Sequence, residues 1–283
     1  MLKVTNVNVI IRQGFWMKPK QILKNINLEI SETGVYGILG ANGAGKTTLI
    51  QLMVGLFPPT SGTVTLGGLS TLTHGARAKL GFLPERPYFY HHLKGRQFLK
   101  LMGTLMHMSR DEMNIQIPKV LEKVNLSHAI DLELSKYSKG MLQRMGIAQA
   151  LLHNPDWIIL DEPMSGLDPI GRRDIRKLIQ ELGAQGKRVI FSSHVLSDLE
   201  SLAREIIILK NGEIIAQKQT SELLMIEADS RIELLMEDVR GDHLTLEANN
   251  IQDAQKLISE KMNQGFKLHR MTTQGSALEK WLQ

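Results

Sequence analysis

Apolar and polar residues alternate over the first thirty positions of the chain. Apolar residues alternate with polar ones at Leu2, Val4, Val7 and Val9, and then at Ile22, Ile26, Leu28 and Ile30, and read as half-buried strands. The polar stretch 12–21 between them reads as a loop, so the chain opens with an antiparallel β layer. Residues 35–39 form a short apolar run ending in a glycine loop. Helical character follows over 47–56, until Pro58 and Pro59 stop it. From about 93 to 153 the period becomes helical, with Phe98, Leu101, Met102, Leu105 and Met106 predicted along one face. Two later runs, 157–160 and 189–191, are continuously apolar, as strands covered on both faces of a parallel sheet are. Beyond about Thr220 the apolar segments 232–236, 244–246, 251–262 and 266–271 suggest a separate small α+β module. The pattern is therefore that of an α/β domain over 1–220 with a helical insert at about 93–153, then an accessory module over 221–283.

Composition adds exclusions. The 283 residues are 42% hydrophobic and 22% charged, ordinary globular usage that rules out a disordered or collagen-like chain. No apolar run approaches the roughly 20 residues of a membrane-spanning helix. The first residues alternate like a strand rather than reading as a secretory leader, and there is no cysteine for disulfides or thiolate metal sites. These features make the cytoplasm the expected compartment. The net charge of +5 suits a polyanionic partner without selecting one, and no dense Lys/Arg block with interleaved aromatics marks a nucleic-acid surface. No internal repeat is present, so whatever the main domain does, the chain does once.

The chemistry concentrates at two strand ends. Gly40, Ala41, Asn42, Gly43, Ala44, Gly45, Lys46, Thr47 and Thr48 fit the phosphate-binding pattern G-x-x-x-x-G-K-[ST], between a predicted strand and a predicted helix. Glycines let successive N–H groups turn inward toward phosphate oxygens, and the helix that follows points its positive end at the anion. Lys46 would reach the β and γ phosphates, Thr47 would offer its hydroxyl to Mg²⁺, and Thr48 would assist at the α phosphate. By composition alone such a match arises in roughly one chain in a hundred of this length. The strand 157–160 delivers Asp161 and Glu162 at its carboxyl end, where α/β sheets place ligands. Asp161 would hold the Mg²⁺ shell, and Glu162 would polarise the attacking water as general base.

With these motifs in this order over 1–220, the sequence resembles the ABC ATPase family. Tyr137-Ser138-Lys139-Gly140-Met141 resembles the family signature L-S-G-G-Q, keeping Ser138 and Gly140 and differing at three positions. Ser138 can cap the helix that follows, making its N-terminus a second anion site. Ser165-Gly166-Leu167-Asp168 resembles the D-loop, His194 the switch histidine, and Gly81-Phe82-Leu83-Pro84-Glu85 the Q-loop, with Glu85 where most members carry glutamine. A carboxylate is as good a ligand for a hard cation as an amide oxygen, so Glu85 retains the expected Mg²⁺ contact with altered charge. The family spacing puts the adenine-stacking position near Ile11. Of the nearest aromatics, Phe15 and Trp16, Trp16 takes the role.

The resemblance implies an α/β P-loop NTPase core with an antiparallel β layer and a helical insert. It implies ATP and Mg²⁺ as ligands, Glu162 and His194 as catalytic groups, and Asp168 as a link between two sites. Those sites are shared in a head-to-tail dimer, in which Ser138 of one copy faces the γ-phosphate held by the other. An integral-membrane permease completes the assembly, placing the chain peripherally on the cytoplasmic face of the inner membrane. The spellings at the signature and Q-loop, with the small C-terminal module, are similar to ATPase subunits of ABC-2 type exporters. The alternatives are a soluble ABC ATPase acting on nucleic acid or ribosomes, and a regulatory module that senses ATP without hydrolysing it. One phosphate loop and a short insert count against the first, and no nucleic-acid partner is expected.

Overall fold

β1 (Leu2–Gln13) and β2 (Lys18–Ile30) pair antiparallel, with Leu2 opposite Ile30 and Gln13 opposite Lys18. The paired arms thus run well into the segment expected to be a loop. Ile11 faces Lys20 and Arg12 faces Pro19. These arms project into solvent, where no core demands apolar alternation, which is why the pattern hid them. Two register shifts nearer the core are stabilised by asparagines: Asn27 Oδ1 accepts from Asn6 N at 2.9 Å, and Asn8 Oδ1 from Asn25 N at 2.9 Å. With β4 (Ser61–Leu66) and β5 (Leu69–Ser70) they make a four-stranded sheet in the order β2-β1-β4-β5. The described residues are 1–13, 18–222, 232–238 and 242–273 of a computed structural model.

The second sheet has six strands in the order β10-β9-β3-β8-β7-β6. They are β3 (Gly34–Leu39), β6 (Leu80–Leu83), β7 (Trp157–Leu160), β8 (Arg188–Ser193), β9 (Glu205–Lys210) and β10 (Glu213–Gln219). β3 runs parallel to β8 and β9, and β7 parallel to β6 and β8. Every residue of β7 is buried, as the unbroken apolar run required. The core lies where the two sheets meet, and combines Leu2, Val4 and Ile26 with Ile38, Leu49, Ile159, Ile190 and Ile207.

Helices cover the parallel sheet. α1 (Lys46–Met53) stops earlier than Pro58 requires, because Gly55 takes φ 70° and the N–H groups of Gly55 and Leu56 bond back to Leu52 O and Gln51 O, both at 3.0 Å. The short α2 (His74–Arg77) precedes β6. The insert consists of α3 (Gly95–Leu105), α4 (Arg110–Lys123) and α5 (Lys139–Leu151). On α3 the buried face is Gly95, Phe98, Leu99 and Gly103, while Leu101 and Leu105 are exposed. Small glycines let α3 approach its neighbours closely, displacing the apolar stripe predicted from large residues alone. A side-chain carbon at Gly103 would lie 2.6 Å from the sulfur of Met113. α6 (Pro169–Ala184) and α7 (Leu196–Glu200) complete the helices that position the site.

The chain divides into two compact units, Met1–Gln217 and Lys218–Gln283. In the second, β11 (Ile232–Glu237) pairs antiparallel with β12 (His243–Ala248) and β13 (Lys267–Thr273). Ile232 and Leu234 pack with Ala248 and with Ala254 of α8 (Ile251–Asn263). Asn250 caps α8 by accepting from Asp253 N at 2.9 Å.

Candidate functional site

Four adjacent parallel strands, β3, β8, β7 and β6, end on one edge of the sheet, and each delivers chemistry just beyond its last residue. β3 leads into the glycine loop, β7 into Asp161 and Glu162, β8 into His194, and β6 into Pro84 and Glu85. Gly43 and Gly45 adopt φ 82° and 106°, left-handed conformations that side-chain-bearing residues rarely take. At Gly40 an added side-chain carbon would sit 2.5 Å from Leu209 O, so the loop must press directly on β9. Gly45 begins α1 without any side-chain cap. The N–H groups of Lys46, Thr47 and Thr48 in its first turn therefore lack intrahelical acceptors and face a cavity of about 570 Å³. The cavity is also lined by Ala41, Asn42, Glu85, Glu162, Ser165 and His194.

Its electrostatics centre on Lys46, which is only 6% exposed. The ammonium donates to Gly40 O at 2.7 Å and lies 3.4 Å from Glu162 Oε1. The other carboxylate oxygen of Glu162 is 3.0 Å from His194 Nδ1. Glu162 reaches both partners from a backbone with φ 48°, a conformation costing a non-glycine residue about 1–3 kcal/mol. It is kept there partly by its own N–H, which donates to Ser192 Oγ at 2.8 Å. Ser192 in turn donates to Asp161 Oδ1 at 2.6 Å. Asp161 is 1% exposed, and its second oxygen, Oδ2, has no hydrogen-bond partner. Burial pushes the Asp161 carboxyl above the ordinary aspartate range and the charge of Glu85 adds to this. The Ser192 hydrogen bond, the neighbouring Thr47 hydroxyl and the charge of Lys46 oppose it. A buried carboxylate with an orphaned oxygen beside a threonine hydroxyl is an oxygen donor set suited to a small hard cation, and Mg²⁺ fits it.

Other residues singled out in the sequence stand apart from this cavity. Ser138 caps α5, its Oγ accepting from Met141 N at 3.2 Å, and with Gly140 it lies outside the cavity lining. Asp168 caps α6, accepting from Gly171 N at 2.9 Å, and also lies outside it. Trp16 falls outside the described residues. The cluster after the Q-loop divides: Phe89 is buried against Phe98, with ring centroids 5.2 Å apart, while Tyr88 and Tyr90 are exposed. A second cavity, of about 380 Å³, runs from Glu85, Arg86 and Pro87 to Lys139 and Leu142 of α5. Three residues with structural roles had not been assigned one from sequence. Ser192 was visible only as a neighbour of His194. Gln143 is buried and donates to Pro163 O at 2.9 Å, tying α5 to the segment after Glu162. Asp198 was silent.

Asp198, on α7, is 1% exposed and is held by two arginines one turn apart on α6. Arg172 donates to Oδ2 at 2.7 Å, and Arg176 through Nε to Oδ1 at 3.1 Å. α6 follows directly from Asp168, and α7 begins two residues after His194, so this ion pair ties together the two helices that follow those residues. Removing Asp198 leaves the two arginines without their partner, but both side chains are about a third exposed, so solvent relieves part of the charge and the cost falls to about 2 kcal/mol, below that of a fully buried pair. Asp198→Ala should therefore lower the thermal midpoint of the nucleotide-free chain by about 5 °C in calorimetry.

Comparison with known proteins agrees with this geometry. The family model described as ABC transporter matches residues 23–165. An uncharacterised ABC transporter ATP-binding protein of Bacillus subtilis, YxlF, is 34% identical over 276 residues, covering 92% of each chain. The lantibiotic transport ATP-binding protein SrtF of Streptococcus pyogenes is 36% identical over 219 residues, covering 77% of this chain and 91% of its own. The ATP-binding cassette MJ0796, solved as a dimer in a post-hydrolysis state with ADP and Pi, superposes with a TM-score of 0.71 at 28% identity, covering 78% of this chain and 99% of that one. With its glycine loop, the paired acids Asp161 and Glu162, and His194 on one sheet edge, this chain belongs to the ABC transporter family as an ATP-binding, ATP-hydrolysing subunit.

Proposed function

We propose that the chain drives export through a separate membrane permease by closing, as a head-to-tail pair, on two molecules of ATP. The observation that carries this reading is the convergence of Lys46, Glu162, His194 and the orphaned Asp161 oxygen on the uncapped N-terminus of α1. The loop N–H groups and Lys46 hold the triphosphate, and Thr48 contacts its α end. Glu162, once Lys46 has turned from it to the phosphates, accepts a proton from the attacking water, and His194 orients that water and the γ-phosphate. Asp161 and Thr47, with Glu85, would hold Mg²⁺, which when bound would supply positive charge to offset that of the triphosphate. Ser138 and Gly140 sit at an α5 N-terminus outside the lining of the nucleotide cavity in their own chain, so they serve the partner's triphosphate. Asp168 carries the state of one site to the other.

Substitution of Asp161 tests the metal assignment. In the folded chain its raised pKa contributes stability below the ordinary aspartate range, and this is lost as pH rises through the raised value. Asp161→Asn keeps the shape and removes that buried charge. The expected result at neutral pH is a nucleotide-free thermal midpoint no lower than that of the parent, with the upward shift produced by Mg²⁺·ATP abolished. A full Mg²⁺-dependent shift in the variant would exclude Asp161 from the metal site.

The permease reading is supported by the apolar segment from Pro87 to Tyr90. Pro87 and Phe89 line the cavity between the Q-loop and α5, a concave surface for a docking helix, and Tyr88 and Tyr90, next to them in sequence, are exposed. No helix among the described residues is long and apolar enough to cross a membrane, so attachment through such a partner makes the chain peripheral. The relatedness to a lantibiotic transport protein supports export. Affinity purification from detergent-solubilised membranes should recover a multi-helix membrane protein, and recovery of RNA or DNA in its place would favour the nucleic-acid alternative.

A further inference from the structure

Two cavities share a wall. Glu85 and Ser165 line both the cavity of about 570 Å³ at the phosphate loop and the neighbouring one of about 380 Å³ between the Q-loop and α5. Lys139, the first residue of α5, lines the second cavity and reaches the same wall. Gly166, the residue after Ser165, has φ 67°, and a side-chain carbon built on it would collide with the Lys139 ammonium. An acid and a base thus stand at one partition, yet neither side chain is held in an ion pair with a described residue. They are also the charged departures from the family spelling of these two motifs. Glu85 adds a negative charge where most members carry glutamine, and Lys139 adds a positive one where the signature L-S-G-G-Q has glycine.

Electrostatics favours their meeting when nucleotide is present. The charge of Glu85 already reaches Asp161, whose carboxyl it helps to push up. A triphosphate adds several negative charges at this end of the larger cavity, and Lys46 turns to the phosphates in that state. The carboxylate at the shared wall then gains most from a new counter-ion, because charges at close range interact more strongly in a partly dehydrated site than in water. Lysine carries its ammonium on a flexible stem, and Lys139 has no ion-pair partner to leave. We infer that, once ATP fills its cavity, Lys139 turns from Gly166 and pairs with Glu85 of its own chain, so that the Q-loop fixes the α5 N-terminus. A carboxylate accepts at two oxygens, so one remains facing the nucleotide cavity. Ser138 immediately precedes Lys139 and caps the same helix. The pair therefore makes the surface offered to the partner's triphosphate depend on the nucleotide held in its own chain. Lys139 is a positioning residue, acting through Glu85. Arg86 lines the same cavity, but it neighbours Glu85 within the Q-loop, and pairing there would hold nothing on α5. This inference rests on the reading of the larger cavity as the ATP site and of Ser138 as serving the partner.

A double-mutant cycle of Glu85→Gln and Lys139→Gln in the full chain tests it. Lys139→Gln should lower kcat about fivefold, the upper range for an exposed ion pair, with KM for ATP within about twofold of the parent. Lys139→Arg should restore kcat to within about twofold. In the Glu85→Gln background, Lys139→Gln should change kcat by less than about twofold. A second readout needs no turnover. In the Glu162→Gln background, Lys139→Gln should raise the ATP concentration for half-maximal dimerisation about fivefold, and this effect should vanish when Glu85→Gln is also present. Equal losses with and without Glu85 would overturn the inference and place the action of Lys139 on the partner's nucleotide or in folding. Parental kcat in Lys139→Gln would overturn it too, as would stronger coupling of Glu85→Gln to Arg86→Gln than to Lys139→Gln. Lys46→Ala separates the two levels. If it abolishes ATP binding while the cycle shows no coupling, only this inference falls. If ATP still binds it at parental strength, the larger cavity is not the nucleotide site and both readings fall.

Discussion

Glu162→Gln should hydrolyse ATP about 10²–10⁴ times more slowly than the parent at saturating nucleotide, the range over which a positioned general base contributes. The substitution keeps the side chain's shape and its reach toward His194, 3.0 Å away, but removes the ability to take a proton. Affinity for ATP should hold or rise, for a reason specific to this site. In the nucleotide-free chain the Glu162 carboxylate lies 3.4 Å from the Lys46 ammonium, and Lys46 must leave it to reach phosphate. Glutamine cannot compete for Lys46 with the same charge. The variant should therefore accumulate as a nucleotide-loaded dimer, read by phosphate release together with ATP-dependent dimerisation in size-exclusion chromatography. A kcat within about threefold of the parent would remove Glu162 from the role of base.

Ser138→Arg should abolish hydrolysis, by about a hundredfold or more, and leave ATP binding to the isolated subunit intact. Ser138 is an exposed cap on α5, outside the lining of the cavity of its own chain, so no contact to the nucleotide bound in that cavity is lost. What changes is the donor-rich helix end that the head-to-tail reading aims at the partner's γ-phosphate. Removing one pre-placed donor from a developing charge costs about 10²–10³ in rate, and the bulk of arginine additionally obstructs closure. Equal loss of ATP binding and hydrolysis would mean that Ser138 acts within its own subunit. Parental hydrolysis would mean that it does not act at all.

The strand ends were the legible part of this protein. A phosphate loop needs glycines and a lysine at fixed spacing, and an apolar run ending in Asp161-Glu162 announces itself as a buried strand carrying acids outward. What composition and period could not reveal was how those acids are held. Nothing in the spelling of Glu162 signals φ 48° or its simultaneous contact with Lys46 and His194. Ser192 links Asp161 to the Glu162 backbone across thirty residues of sequence, a pairing fixed only once β7 and β8 lie side by side. Asp198 reads as one more helix acid until α6 brings two arginines to it. The hairpin arms were misjudged for the opposite reason. They face solvent, so Arg12, Lys18 and Lys20 gave no apolar rhythm, although their register is regular. That error bore on function, since the extended arms carry Ile11 and Lys20 to the cavity. On α3, glycine rather than leucine defined the packed face, and a pattern built on large residues selected the wrong stripe.

The account depends on one arrangement, two triphosphates each held between unlike surfaces of two identical chains. The structure of Glu162→Gln with Mg²⁺ and ATP tests it most directly. The account predicts a two-fold dimer with each γ-phosphate in hydrogen-bond contact with Lys46 of one chain and with the α5 N-terminus at Ser138 of the partner subunit. A nucleotide bound away from Lys46, or a dimer that leaves Ser138 turned to solvent, would contradict it.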